Sequence, residues 1–161
     1  MPTPPVIDGH QFARTASVLR GTLEPGWLPR LADMGRIGEV AFELEGGIDD
    51  GGKATLRVRA SAALETVCQR CLGSLVLSLS LDEMLQLCDS DLEIAHAQDE
   101  VDRVLATGSM KVAELVEDEL ILALPQTPKH ERCTLPDAAQ TTERESPFKA
   151  LERLRQGRGT P

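Results

Sequence analysis

Along residues 40–45 the chain alternates in character: Val40, Phe42 and Leu44 fall on one side, Ala41, Glu43 and Glu45 on the other. A period of two marks a half-buried strand, because successive side chains point to opposite faces. Gly46-Gly47 and Asp49-Asp50-Gly51-Gly52 follow as turn residues and predict a hairpin. Its return strand runs over Ala54 to Ala62, where Leu56 and Val58 alternate with Arg57 and Arg59. A further strand is expected at Glu65 to Cys68. Another is expected at Leu72 to Leu81, in which the leucines at 75, 77, 79 and 81 alternate with Val76, Ser78 and Ser80. Strands of this kind form an antiparallel sheet with one wet face.

The period changes to that of a helix at Val112 to Leu124. Val112, Leu115, Val116, Glu119 and Leu120 define faces at helical spacing, with Glu117 and Asp118 read as lying opposite the apolar stripe. Pro125 and Pro128 stop the helix. Asp89 to Ser109, acidic and poor in apolar residues, reads as a long loop. Near the end, Ser146-Pro147 is a cap followed by proline at the first helical position, with Phe148, Leu151 and Leu154 behind it: a short basic amphipathic helix. Phe12 to Leu23 has no clear period, Trp27 to Leu31 suggests one helical turn, and Pro2, Pro4 and Pro5 suggest a loose arm. The expected fold is α+β: a sheet of four or more strands, open or barrel-like, with one main helix and a short C-terminal one. The expected division is a single domain over residues 1–140, carrying the acidic loop 89–109, and a tail over 141–161.

Composition narrows the function. Aromatic residues are only 2% of the 161 positions, so a stacking platform for single-stranded bases has no material to be built from. The net charge of −9 argues against nucleic-acid binding through bulk positive charge, and DNA is not an expected partner. Most of that charge lies in residues 82–119, where 12 acidic side chains face 2 basic ones. Such a stretch either attracts basic proteins or serves as a solvated acidic loop. No apolar run is long enough for a membrane span and no signal-peptide pattern opens the chain, so the expected location is the cytoplasm.

Chemistry is concentrated in two pairs. Cys68-Gln69-Arg70-Cys71 is a CxxC at the end of a strand, and His130-Glu131-Arg132-Cys133 is an HxxC just past the helix-ending prolines. Two donors separated by two residues can bend round one ion, and two such pairs supply the four N/S donors of a tetrahedral structural zinc. Cys88 is a substitute fourth ligand for His130. Three other readings stand beside zinc: a redox CxxC, a disulfide pair, and buried thiols acting as small apolar residues. No phosphate loop, GxSxG or HExxH is present, and Glu117-Asp118-Glu119 on a helix point in different directions, so no enzyme is expected. His10 and His96 read as ordinary surface residues.

Cys68 to Leu72, the block Leu115 to Pro125, and His130 to Cys133 together resemble the bacterial YceD family. Ile7-Asp8, Ala13-Arg14-Thr15 and Ser146-Pro147-Phe148 extend the resemblance towards both ends. It implies a cytoplasmic, non-enzymatic protein acting in the synthesis, processing or stability of large-subunit (23S) ribosomal RNA. It also implies metal and nucleic-acid binding. Two working surfaces follow. Arg57, Arg59, Arg70, Arg153, Arg155 and Arg158 are candidate contacts to large-subunit rRNA or a precursor particle. The acidic stretch is a candidate grip for a basic ribosomal protein, with no direct RNA contact.

Overall fold

The computed structural model describes residues 3–96 and 101–135. Its centre is a mixed sheet in the order β2 (Val18–Leu23), β4 (Val40–Ile48), β5 (Ala54–Val67), β6 (Ser74–Cys88) and β7 (Arg103–Leu105), with β3 (Arg36–Ile37) added to β5. The sheet is open and does not close into a barrel. All its pairings are antiparallel except β6 with β7, which is parallel. A separate two-stranded ladder joins β1 (Val6–Ile7) to β8 (Met110–Lys111).

Among the described residues four helices accompany the strands: α1 (Gly9–Arg14), α2 (Pro29–Met34), α3 (Asp91–Ala95) and α4 (Val112–Leu122), with a single 3-10 turn at Pro25–Trp27. Asp8 caps α1 by accepting the Gln11 backbone N–H at 2.8 Å. α1 packs on β4 and β5, α4 on β5 and β6. The core lies between them and holds Leu23, Val40, Leu44, Leu56, Val58, Leu64, Val112, Val116 and Leu120. Each such side chain contributes about 1.5–3 kcal/mol through burial, so the alternation read at Val40 to Leu44 is what holds the sheet to its helices. Close approach also sets Gly46: a Cβ there would meet the Phe12 carbonyl oxygen at 2.4 Å, so α1 can lie against β4 only because this position has no side chain.

Several expectations are corrected. The strands read separately at 54–62 and 65–68 are one strand, β5, and Gly46-Gly47 belong to β4, the turn being the Asp49–Lys53 segment. β6 begins at Ser74 and runs past Leu81 through Asp82 and Glu83 to Cys88, because Asp82 points outward to arginines of β5 and its charge does not end the ladder. The segment 89–109, read as a loop, holds α3 and β7. Ser90 caps α3, and β7 is held by ladder pairing with Gln86 to Cys88. Pairing and capping order a segment whose composition alone suggests none. Glu117, read as lying opposite the apolar stripe, is buried at 2% exposure. The C-terminal helix from Ser146 onward, with Arg153, Arg155 and Arg158, lies outside the described residues.

Candidate metal centre

The β5–β6 connection, Cys68 to Gly73, is a tight loop. The Cys68 N–H donates to the Gly73 carbonyl and the Leu72 N–H returns to the Cys68 carbonyl, both at 2.9 Å. Leu72 takes a positive φ of 60°, the left-handed turn that brings the chain back towards Cys68. The Gln69 N–H donates to the Pro128 carbonyl at 2.8 Å and docks the segment after α4 on the loop. Residues distant in sequence are thereby brought together.

Sγ of Cys68, Cys71 and Cys133 and a ring nitrogen of His130 all lie within 4.8 Å of one another and could hold a metal ion. Cys68 is buried and the other three are half-buried. The Cys68 and Cys133 sulfurs are 3.7 Å apart, and Cys71 Sγ is 3.3 Å from His130 Nδ1. The other imidazole nitrogen, Nε2, is 3.0 Å from the Ser74 carbonyl oxygen. A backbone carbonyl accepts only, so Nε2 carries the proton and Nδ1 faces the sulfurs with its lone pair free. Such an outer hydrogen bond is how a ligating histidine is held in one tautomer.

The cysteines of the site differ in acidity. Burial pushes the Cys68 thiol up, but N–H groups of Cys71, His130 and Arg70 outweigh it and bring it down to about 5. At Cys71 the Gly73 N–H acts downward and is overcome by burial and by the Cys68 and Cys133 sulfurs, leaving that thiol above its ordinary value. Arg70 Nε donates to Cys133 Sγ at 3.0 Å, and its Nη2 donates to the carbonyls of His130 at 2.8 Å and Glu131 at 3.4 Å. Its pKa is raised, first through the Cys133 hydrogen bond.

A pH dependence follows for the chelated, metal-free protein under reductant. Cys68 is depressed in the folded chain and ordinary in the unfolded one, so between about pH 5 and the ordinary thiol range the unfolded state binds the extra proton. Stability is therefore fully present above that range and is lost as pH falls through about 5. Melting curves of metal-free protein should rise from pH 5 to 8.5 more steeply than those of Cys68→Ser. Parallel curves would show that Cys68 is not held as thiolate.

Cys88, expected as a substitute ligand, is outside this group. It is buried at the far end of β6, fourteen residues from Ser74 and so roughly 45 Å away by strand rise. Burial raises its thiol. Arg57 and Arg59 lie on the outer face of β5, away from the helices, and Arg59 belongs to a row of alternating charge across four strands: Arg20, Glu43, Arg59 and Asp82. Arg57 makes a bidentate pair with Asp82 at 2.6 and 2.8 Å, and Arg59 pairs with Glu43, Glu45 and Asp82. The row lowers the Asp82 and Glu43 carboxyls, foremost through the Arg57 and Arg20 hydrogen bonds respectively. His10 is no bare surface group: its Nε2 lies 2.8 Å from Asp89.

Sequence reasoning placed both donor pairs and missed what Arg70 and Ser74 do. Arg70 sits between the two cysteines of its own motif, the one signal that could have tied it to the site.

Fold and site together define an α+β domain in which a cluster of three cysteines and one histidine joins the tip of a long hairpin to the chain beyond its main helix. The family described as large ribosomal RNA subunit accumulation protein YceD matches residues 56–155, and the chain belongs to that family. That description gives it a role in accumulation of large-subunit ribosomal RNA. No curated protein and no solved structure matches it. Among the described residues no helix is long and apolar enough to cross a membrane.

Proposed function

We propose that this protein is a non-enzymatic factor in the synthesis, processing or stability of 23S rRNA, working in the cytoplasm with one structural zinc held by Cys68, Cys71, His130 and Cys133. The closed donor set carries this reading. Zinc–sulfur bonds near 2.3 Å in a tetrahedron put sulfurs about 3.8 Å apart, and Cys68 and Cys133 stand at 3.7 Å. Four protein donors leave no open position for substrate, as in structural rather than catalytic zinc sites. When bound, the ion supplies folding energy and no reaction step.

For the direct partner, one observation favours the protein-held version over RNA contact. The guanidinium groups of Arg57, Arg59 and Arg70 are engaged by carboxylates, carbonyls and a thiol of the same chain. A phosphate would have to displace those partners at little net gain. The exposed carboxylates of the acidic stretch 82–119, apart from the paired Asp82 and the buried Glu117, then grip a basic ribosomal protein, and the effect on rRNA follows indirectly. Nuclease treatment of the complex captured from cells distinguishes the two. The complex is expected to persist and to yield a basic ribosomal protein. Collapse on nuclease digestion, with rRNA crosslinked to this chain, would make it a direct RNA binder.

A further inference from the structure

Resting on the metal reading above, we infer that Arg70 is the outer-sphere positioning residue of the centre, setting both its net charge and the placement of the His130–Cys133 half of the site. Three observations carry this. The side chain leaves the loop between Cys68 and Cys71 but ends on the other pair, at Cys133 Sγ and at the His130 and Glu131 carbonyls. It therefore spans both halves of the donor set. Its Nε and Nη2 act in different roles at once, one on sulfur and one on backbone, in a geometry that the planar guanidinium fork fixes and a freely rotating ammonium does not.

The third observation is charge. A divalent ion with three thiolates and a neutral imidazole carries a net charge of −1, and Arg70 brings the half-buried cluster to neutrality. Excess negative charge in such a place is costly, and a cation hydrogen-bonded to one of the sulfurs offsets it where it arises. The N–H···S bond also draws electron density from Cys133, lowering the energy of its sulfur lone pair and making it a weaker nucleophile towards electrophiles. Arg70 is accordingly part of the centre and not a reserve for phosphate.

The test uses the full chain as wild type, Arg70→Gln, Arg70→Lys and, as a control on a distant arginine, Arg57→Gln. Each is loaded with Co(II), its sulfur-to-cobalt charge-transfer band recorded, and Zn(II) affinity measured by competition with a chromophoric chelator. Arg70→Gln is expected to bind zinc about 10–100-fold more weakly, the usual cost of losing an outer-shell partner. Its charge-transfer band should move to longer wavelength, because the sulfur donor level rises. Arg70→Lys should keep most of the band position, through its charge, and recover only part of the affinity, lacking the fork. Arg57→Gln should match wild type in both. A merely structural role would lower the melting temperature and leave the band where it was.

Arg70→Gln with wild-type affinity and band would overturn the assignment while leaving the metal reading intact. If Arg70→Gln does not fold, Arg70→Lys with undiminished zinc affinity overturns it equally. A wild-type chain that takes up neither cobalt nor zinc removes the metal reading, and this inference with it.

Discussion

Serine in place of Cys133 is expected to release the zinc proposed above and to lower the melting temperature by on the order of 10 °C. The reasoning is linkage. An ion present at a thousand times its dissociation constant stabilises the folded state by about 4 kcal/mol, and for a chain of this length each kcal/mol is worth roughly 2–4 °C. Cys133 is a severe choice, because its sulfur is also where Arg70 donates, so the replacement disturbs both the donor set and the guanidinium that holds His130. Metal content by mass spectrometry and thermal melts, on the variant and on chelated wild type, check it. The variant should melt at or below the chelated wild type, which keeps the sulfur that Arg70 donates to. A reduced wild type that carries no stoichiometric metal and melts identically after chelation would remove the zinc from the account.

The second large effect is expected at Glu117. This carboxylate, buried on α4, accepts the backbone N–H of Arg30 at 2.8 Å and of Leu31 at 3.1 Å, and the Arg30 side chain at 3.0 Å. α2 begins with Pro29 and has no side-chain cap of its own, so Glu117 supplies from another helix what a capping residue supplies locally. Alanine at 117 strands the two donors and leaves a cavity. The expected loss is about 2–4 kcal/mol, because each buried unsatisfied polar group costs about 1–3 kcal/mol. Glutamine keeps one oxygen for the two backbone donors and should lose about half as much. Urea unfolding of both variants tests this. Equal losses for alanine and glutamine would show that the charge, not the shared acceptor, matters, and no loss for alanine would show that α2 is capped otherwise.

Glu117 also marks where sequence reading stops. Periodicity tells which face of α4 is apolar, and Val112, Val116 and Leu120 are buried as it requires. It carries no information about a partner 86 or 87 residues away, and only that partner makes a buried carboxylate affordable. Asp82 and Glu83 show the same gap in a strand. Two adjacent charges read as an end, yet Asp82 is paid for by Arg57 on the neighbouring strand. In contrast β4 and most of β5 were legible, because alternation alone decides which side chains face the helices. The two donor pairs were legible for another reason: a CxxC or HxxC can converge on one point only through its own short spacing. That the pairs meet each other is set by the Gln69–Pro128 hydrogen bond and by Arg70, neither of which a local pattern encodes.

The span between the two halves of the cluster also sets a clock. Cys68 and Cys133 are separated by 65 positions. At translation rates of about 5–20 residues per second, the first half is made some 3–13 s before the last donor exists. For that interval Cys68 and Cys71 are a pair of nascent thiols without their partners, and once Cys88 has been made they sit in a chain whose hairpin strands are both synthesised. Closure of the staple is therefore a late, single event, and a ribosome that stalls between residues 105 and 133 leaves behind a polypeptide that has every strand of its sheet but not its clasp.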